Sequence, residues 1–360
     1  MIKQLSLRYF RNHTNFSIET RNAPFIFIHG ANGVGKTNIL EAISLLIPGK
    51  GLKNARTDEI LANQQHLSQS WAVEAVMDTS AGQRRFLTGA EISSGKSARR
   101  TFRLDDQSIK AQQQIAEYMR VIWYTPRTDG LFLSAAGERR KFWDRMSYNL
   151  DQSHAANVAK YDYFSQSRNK LLQEPRPDTI WLGHIERDLA EAANKIIASR
   201  IASIKLIEQH LVNEATFIAP KLEIIGAAVE AYQQQQDFSS WFMETLKRNR
   251  RLDASMGRMK LSASKMDFIA YHPIKDIPAS LCSTGEQKSL LISLILGQSR
   301  AIAARHSITP ILLLDDILEN LDATNRELLL AALRDMNIQS WITATENRGL
   351  MPQDTLLIAL

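Results

Sequence analysis

The sequence predicts an α/β protein of the P-loop type, with a nucleotide domain assembled from both chain ends and interrupted by a mainly helical insertion. Three observations carry that prediction. A short apolar run, Phe25–Ile28, leads into Gly30-Ala-Asn-Gly-Val-Gly-Lys-Thr37 and then into a helical stretch, Asn38–Ile47. A second apolar run, Ile311–Leu314, ends on the acidic pair Asp315–Asp316. Between the two, the pattern changes from short β-like runs to helices and back again.

The N-terminal MIKQLSLRYF alternates like a strand, and Trp71–Met77, Arg100–Leu104 and Arg120–Tyr124 read as further strands. From 134 to 250 the pattern is nearly all helical, with helices expected at Glu138–Leu150, Ala155–Leu172, Thr179–Ala215 and Phe238–Arg250. The segment Glu174-Pro-Arg-Pro-Asp178 breaks the second from the third. Leu290–Ile302 is too long for one strand and has no proline, so it reads as a buried helix. Ile311–Leu314 and Ser340–Thr343 return to strand. The expected division is 1–130 with 265–360 for the nucleotide domain, and 131–264 for the helical insertion.

The composition is that of a globular chain: 360 residues, 44% hydrophobic and 23% charged. No run of 18 or more apolar residues occurs, which argues against a membrane-spanning helix, and the N-terminus lacks a signal-peptide core. The lone Cys282 excludes a disulfide framework and a thiolate zinc cluster, and it fits a reducing cytoplasm. Net charge is +6, with basic clusters at Lys96–Arg103, Glu138–Arg145 and Lys247–Lys260. Phosphate-backbone binding needs several cations on one surface. The candidates are Arg99, Arg100, Arg139, Arg140, Lys141, Arg248, Arg250 and Arg251, and the competing reading of each is an ordinary solvated charge.

The glycine-rich stretch fits G-x-x-x-x-G-K-[ST] in the strand–loop–helix setting that the motif requires. The expected phosphate cradle is Gly30, Ala31, Asn32, Gly33, Val34, Gly35, Lys36, Thr37 and Asn38. Its backbone N–H groups approach the β- and γ-phosphates, Lys36 neutralises them, and the helix N-terminus adds its dipole. Thr37 offers a hydroxyl to Mg²⁺. Asp315, at the C-terminal end of a buried strand, is the expected second metal ligand, and Asp316 is placed to polarise the attacking water. The run Ser340-Trp-Ile-Thr-Ala-Thr345 reads as a buried strand ending in hydroxyls, and Thr343 or Thr345 reads either as a γ-phosphate sensor or as a plain core residue.

A second anion site is suggested by Ser280-Leu-Cys-Ser-Thr-Gly-Glu-Gln-Lys-Ser-Leu-Leu-Ile292, where hydroxyls, a glycine and a lysine stand at a helix start. The neighbouring residues do not identify the anion.

In combination these segments resemble the ABC-type ATPase heads, and within them the RecF family of bacterial recombination mediators. LSLRYFRNHTNFSIE is similar to that family's opening strand, with its turn at Phe10–His13, and GANGVGKTNILEAI to its P-loop. TPRTDGLFLSAAGERRKFWDR, YDYFSQSRNKLL, CSTGEQKSLL and LLLDDILENLD resemble its lobe-crossing, helical-arm, signature and Walker B segments. Two places depart. Ser262–Asp267 stands where the family commonly carries a Gly-Pro-His-Arg-Asp-Asp-like motif, and Glu319 lies one residue earlier than the family's usual Glu.

The resemblance implies an ABC-type head with an inserted second lobe, ATP and Mg²⁺ as cofactors, and a homodimer closed around ATP. In such heads the signature segment of one subunit covers the γ-phosphate held by the other. That gives Ser283, Gly285, Gln287 and Lys288 a contact with the partner's ATP. The resemblance also implies binding to duplex DNA and to gapped or single-/double-strand junctions. With RecO- and RecR-like partners the protein would load the RecA recombinase during DNA-damage (SOS) repair and replication-fork maintenance. Slow hydrolysis, through Lys36, Asp315 and Asp316, would release the dimer. The short Asp316, where related ATPases often carry Glu, agrees with weak turnover, since a misplacement of about 1 Å can cost on the order of 100-fold.

Alternatives share the motifs. A transporter ATPase subunit would need a glutamine loop and a terminal histidine, neither of which can be placed. A chromosome-organising SMC-like ATPase would need a long coiled-coil arm, and the middle segment has no sustained heptads. A purely structural ATP, without turnover, keeps the fold.

Overall fold

The computed structural model describes residues 1–61, 68–92, 98–109, 112–213, 216–345 and 352–360. The chain forms two compact units, Met1–Asp129 with Ile302–Leu360, and Gly130–Ala301.

In the first unit, five strands form a parallel sheet in the order Thr355–Ala359, Phe25–His29, Ser340–Ala344, Ile311–Leu314, Val121–Tyr124. Its three central strands and Val121–Tyr124 are apolar almost throughout because a parallel sheet is covered on both faces. A six-stranded antiparallel sheet runs in the order His13–Glu19, Ile2–Phe10, Ser70–Thr79, Gly82–Glu91, Thr101–Leu104, Gln107–Ser108. Here one face is wet, so apolar residues alternate. Trp71, Val73, Ala75 and Met77 are buried, while Ala72, Glu74 and Val76 between them are part-exposed.

A single core joins the inner face of this sheet (Leu5, Leu7, Val73) to Ile26, Ile28, Leu313 and Trp341 of the parallel one. The helix Lys36–Ser44 adds Ile39, Leu40 and Ile43 to that core. Each such side chain contributes about 1.5–3 kcal/mol on burial. Gln339, 2% exposed, ties the two sheets: its Oε1 accepts from Ile2 N at 2.7 Å and its Nε2 donates to Ile2 O at 2.9 Å. The helix after the P-loop ends at Ser44, short of the expected Ile47, where Leu45 N turns to Glu41 O and Ala42 O.

The second unit contains the helices Ala136–Leu150, His154–Leu172, Thr179–Gln209, Ala227–Gln234, Phe238–Arg248 and Arg250–Met256. Asp178 caps the longest of them, accepting from Ile180 N and Trp181 N. That helix stops at Gln209 instead of Ala215. The all-helical expectation also fails at Lys221–Ile225, a strand that pairs antiparallel with Asp267–His272, itself paired with Ile277–Pro278. This pairing moves the second boundary. It falls at 301/302, inside the helix Thr284–His306, and not at 264/265. Arg139 fixes Asp267 through bonds of 3.1 Å and 2.5 Å. Arg168, fully buried, ties three helices by bonding Glu186 at 2.9 Å, Asp253 at 2.8 Å and Leu246 O at 2.6 Å.

Candidate nucleotide site and nucleic-acid surface

The P-loop leaves the buried strand Phe25–His29 and turns through positive φ at Gly33 (87°) and Gly35 (110°). Gly35 is the N-cap of Lys36–Ser44 in the left-handed region, and a Cβ there would lie 2.5 Å from the Asn12 side chain. No side chain caps this helix and its first turn carries no acid, so its orphan N–H groups and positive dipole end suit an anion. Lys36, 6% exposed, places its ammonium against Gly30 O at 2.7 Å and Ala31 O at 3.2 Å, inside the loop.

The turn Phe10–His13 buttresses the loop from behind. Asn12 Nδ2 donates to Val34 O at 2.6 Å, Asn38 Nδ2 to Asn12 Oδ1 at 2.7 Å, and the His13 ring meets Gly35 O at 3.2 Å. Burial lowers the His13 pKa, favouring the neutral ring. Arg11 grips the buried Glu41 carboxylate with bonds of 2.9 Å and 2.6 Å, fixing the turn to the P-loop helix. Asn38 is thus a brace within the loop's own network, a role its position in the motif does not reveal.

At the C-terminal end of the strand Ile311–Leu314, Asp315 Oδ1 accepts from Thr37 Oγ1 at 2.8 Å and from Thr343 Oγ1 at 2.9 Å. The P-loop hydroxyl and the strand-end carboxylate, 278 residues apart, are therefore in direct contact. Hard oxygen donors of this kind fit Mg²⁺, which takes one or two protein ligands and completes its shell with water and phosphate. Among the described residues no group of three or more His, Cys, Asp or Glu forms a protein-only metal cage.

Asp316 follows in a left-handed conformation, φ 52°, with its N–H donating to Thr343 Oγ1 at 3.0 Å. Burial first, then the charges of Asp315 and Glu319, raise its pKa, partly offset by Lys36. Glu319 accepts from Thr345 N at 2.7 Å and Thr345 Oγ1 at 2.6 Å. Thr343 and Thr345 are thus hydroxyl supports of the acidic cluster.

In the second unit, Ser283 and Glu286 form a reciprocal cap at the start of Thr284–His306. Ser283 N and Oγ each donate to Glu286 Oε2 at 3.0 Å, and Glu286 N meets Ser283 Oγ at 3.4 Å. Lys275 pairs with Glu286 at 2.6 Å and, as its largest influence, lowers the Glu286 pKa to about 2. Gly285 is exposed, and a Cβ there would meet nothing within 4 Å. Gln287 turns inward instead: it is buried and donates to Cys282 O at 2.9 Å. Lys288 is half-buried.

The expected DNA-contact residues divide sharply. Arg139 is bound to Asp267, Arg250 to Glu186 at 2.6 Å, and Lys141 to Glu138 at 2.6 Å. Arg140 donates to Met266 O at 3.2 Å and Arg248 to Thr245 Oγ1 at 3.1 Å. Arg100 donates to Ile47 O at 3.2 Å, stacks on Phe102, and has its pKa pushed down to about 10 by burial. Arg99 and Arg251 are exposed. Lys96 lies outside the described residues. Lys265, in the divergent 262–267 segment, clamps Met259 O and Lys260 O, both at 2.9 Å, while Asp267 holds Arg139.

A P-loop whose threonine meets a strand-end aspartate, in a chain whose inserted unit carries a serine–glycine signature, defines an ATPase head of the RecF/SMC class. The model of the RecF/RecN/SMC N-terminal domain matches residues 1–358. The DNA replication and repair proteins RecF of Rickettsia conorii and Rickettsia prowazekii are each 36% identical to the chain, over 97% of its length and 95% of theirs. The chain belongs to the RecF family.

Solved structures agree on the fold. The recombination mediator protein RecF with ATP, in the RecFOR pathway, superposes with a TM-score of 0.84 at 20% identity, covering 99% of this chain and 95% of that one. An Smc head bound to the C-winged helix domain of ScpA gives 0.53 at 13% identity, covering 99% and 94%. Among the described residues no helix is long and apolar enough to cross a membrane.

Proposed function

We propose that the chain is an ATP-switched, DNA-binding member of its family, acting in recombinational repair and replication-fork maintenance in the cytoplasm. The observation that carries this reading is the contact of Thr37 with Asp315 beside the buried Lys36, a preassembled site for a Mg²⁺-nucleoside triphosphate. Lys36 moves from the loop carbonyls to the β- and γ-phosphates, and the uncapped helix start donates its N–H groups to them. The bound Mg²⁺ supplies charge neutralisation for the phosphates. Asp316, whose raised pKa marks a base stronger than an ordinary aspartate, accepts the proton of the attacking water.

The site lies at the strand ends of the first unit. The signature serine of a second copy completes it by donating to the γ-phosphate, so ATP closes a homodimer and slow hydrolysis opens it. The closed dimer binds duplex and gapped DNA. With RecO- and RecR-like partners it loads RecA, a role supported by the family relationship. Turnover is weak and DNA-stimulated.

The test is duplex binding with and without ATP, for the unsubstituted protein and for Lys36→Met. ATP-dependent binding lost in Lys36→Met is the expected result. Equal DNA binding by both proteins, with or without ATP, would overturn the switch.

A further inference from the structure

The outer face of the six-stranded sheet carries a trough of about 640 Å³, bounded among others by Ser70, Ala72, Gly89, Arg99, Thr101 and Arg103. One row of its floor is made of small residues, with Leu87 on the next row. Ala72, Gly89 and Thr101 are cross-strand neighbours on three successive strands, and Arg8 pairs with Ala72 on a fourth. Paired residues share a face, so Arg8 and Thr101 stand three strands apart in one row. Three strand spacings of about 4.8 Å place them about 14 Å apart. Gly89 is required there: a Cβ would fall 2.4 Å from Trp71 O.

The cations come from the alternation Arg99, Thr101, Arg103, which brings both arginines to the trough. Arg100 and Phe102, between them, turn away: Phe102 is buried and Arg100 donates to Ile47 O. Arg99 and Arg103 are separated by no more than about 14 Å of extended chain. Neighbouring arginines of this sheet are neutralised in place, Arg84 by Asp105 at 2.7 Å and Arg85 by Asp106. Arg8, Arg99 and Arg103 have no ion pair among the described residues, and Glu91 is the one acid among the described residues that line the trough.

We infer that this trough seats the sugar–phosphate backbone of duplex DNA, with Arg99 and Arg103 each on a phosphate and Arg8 three strands further along the row. The inference rests on the DNA-binding reading above and gives it a place. The small residues of this row let a backbone lie close to the sheet, with Leu87 beside them, and cations without acidic partners among the described residues are available to displace counterions. Contacts to phosphate carry no base information, so binding here is independent of sequence.

The test is titration of a random-sequence duplex by fluorescence anisotropy, with ATP present, between about 50 and 200 mM salt. Two variants are compared with the unsubstituted protein: Arg99→Ala/Arg103→Ala and the charge-keeping Arg99→Lys/Arg103→Lys. Each lost phosphate contact lowers the salt slope by about 0.9, which is about eightfold in affinity at about 0.1 M salt. The alanine pair should therefore lose about 1.8 of slope and about 60-fold in affinity, and the lysine pair should keep most of both. An alanine pair with the unsubstituted slope and affinity would overturn the trough and leave DNA binding standing. No duplex binding by the unsubstituted protein would overturn the DNA reading itself.

Discussion

Replacing Thr343 by valine keeps the shape of a fully buried side chain and removes one hydroxyl. That hydroxyl accepts from Asp316 N at 3.0 Å and donates to Asp315 Oδ1 at 2.9 Å. Without it, a backbone donor beside the acidic pair loses its acceptor, at a cost of about 1–3 kcal/mol. Asp315 keeps Thr37 but loses a hydrogen bond to a charged acceptor, worth about 1.5–3 kcal/mol. Both losses fall in one network and do not add in full, so the expected destabilisation is about 3 kcal/mol. The catalytic effect is separate. Asp316 sits at φ 52° and is tethered through the lost bond, so its carboxylate drifts. A drift of about 1 Å lowers hydrolysis on the order of 100-fold. Thermal unfolding and single-turnover phosphate release measure the two effects, with Thr343→Ser, which keeps the hydroxyl, as the control. Thr343→Val with an unchanged melting temperature and rate would mean that this hydroxyl neither supports the fold nor positions Asp316.

Further outcomes follow from the same geometry. Asp316 has a raised folded-state pKa, so its contribution to stability is full below the ordinary aspartate value and is lost as pH rises through the raised one. Asp316→Asn should therefore raise the melting temperature of the nucleotide-free protein at neutral pH, while hydrolysis falls at least about 100-fold and loses its acid limb. Arg139→Ala should destabilise the second unit by about 2–3 kcal/mol through Asp267, seen in denaturant unfolding, and leave the salt slope of DNA binding unchanged. Arg168→Met leaves Asp253 buried without its guanidinium and should cost about 3–5 kcal/mol by the same measurement.

The parts legible in the sequence are those coded by local pattern. Phe25–His29 and Ile311–Leu314 show as unbroken apolar runs because both faces are covered, and the P-loop shows because its glycines meet a backbone demand. The rest depends on distant pairing. Lys221–Ile225 is a strand only because Asp267–His272 lies beside it. Gln339 looks like a loop residue until Ile2 meets its amide. Arg139 looks like a surface cation, yet its partner lies 128 residues away. Thr343 reads as a core strand residue, and its hydroxyl gains meaning only where the strand ends meet Asp315 and Asp316.

The central claim is that ATP joins two copies through the P-loop of one and the signature of the other. The mass of the particle in solution, by light scattering with and without ATP and Mg²⁺, tests it most directly. The unsubstituted protein should double in mass with ATP, and Ser283→Arg should stay a monomer that still binds ATP. An unsubstituted protein that binds ATP and stays monomeric, or a Ser283→Arg protein that doubles as readily, would contradict it.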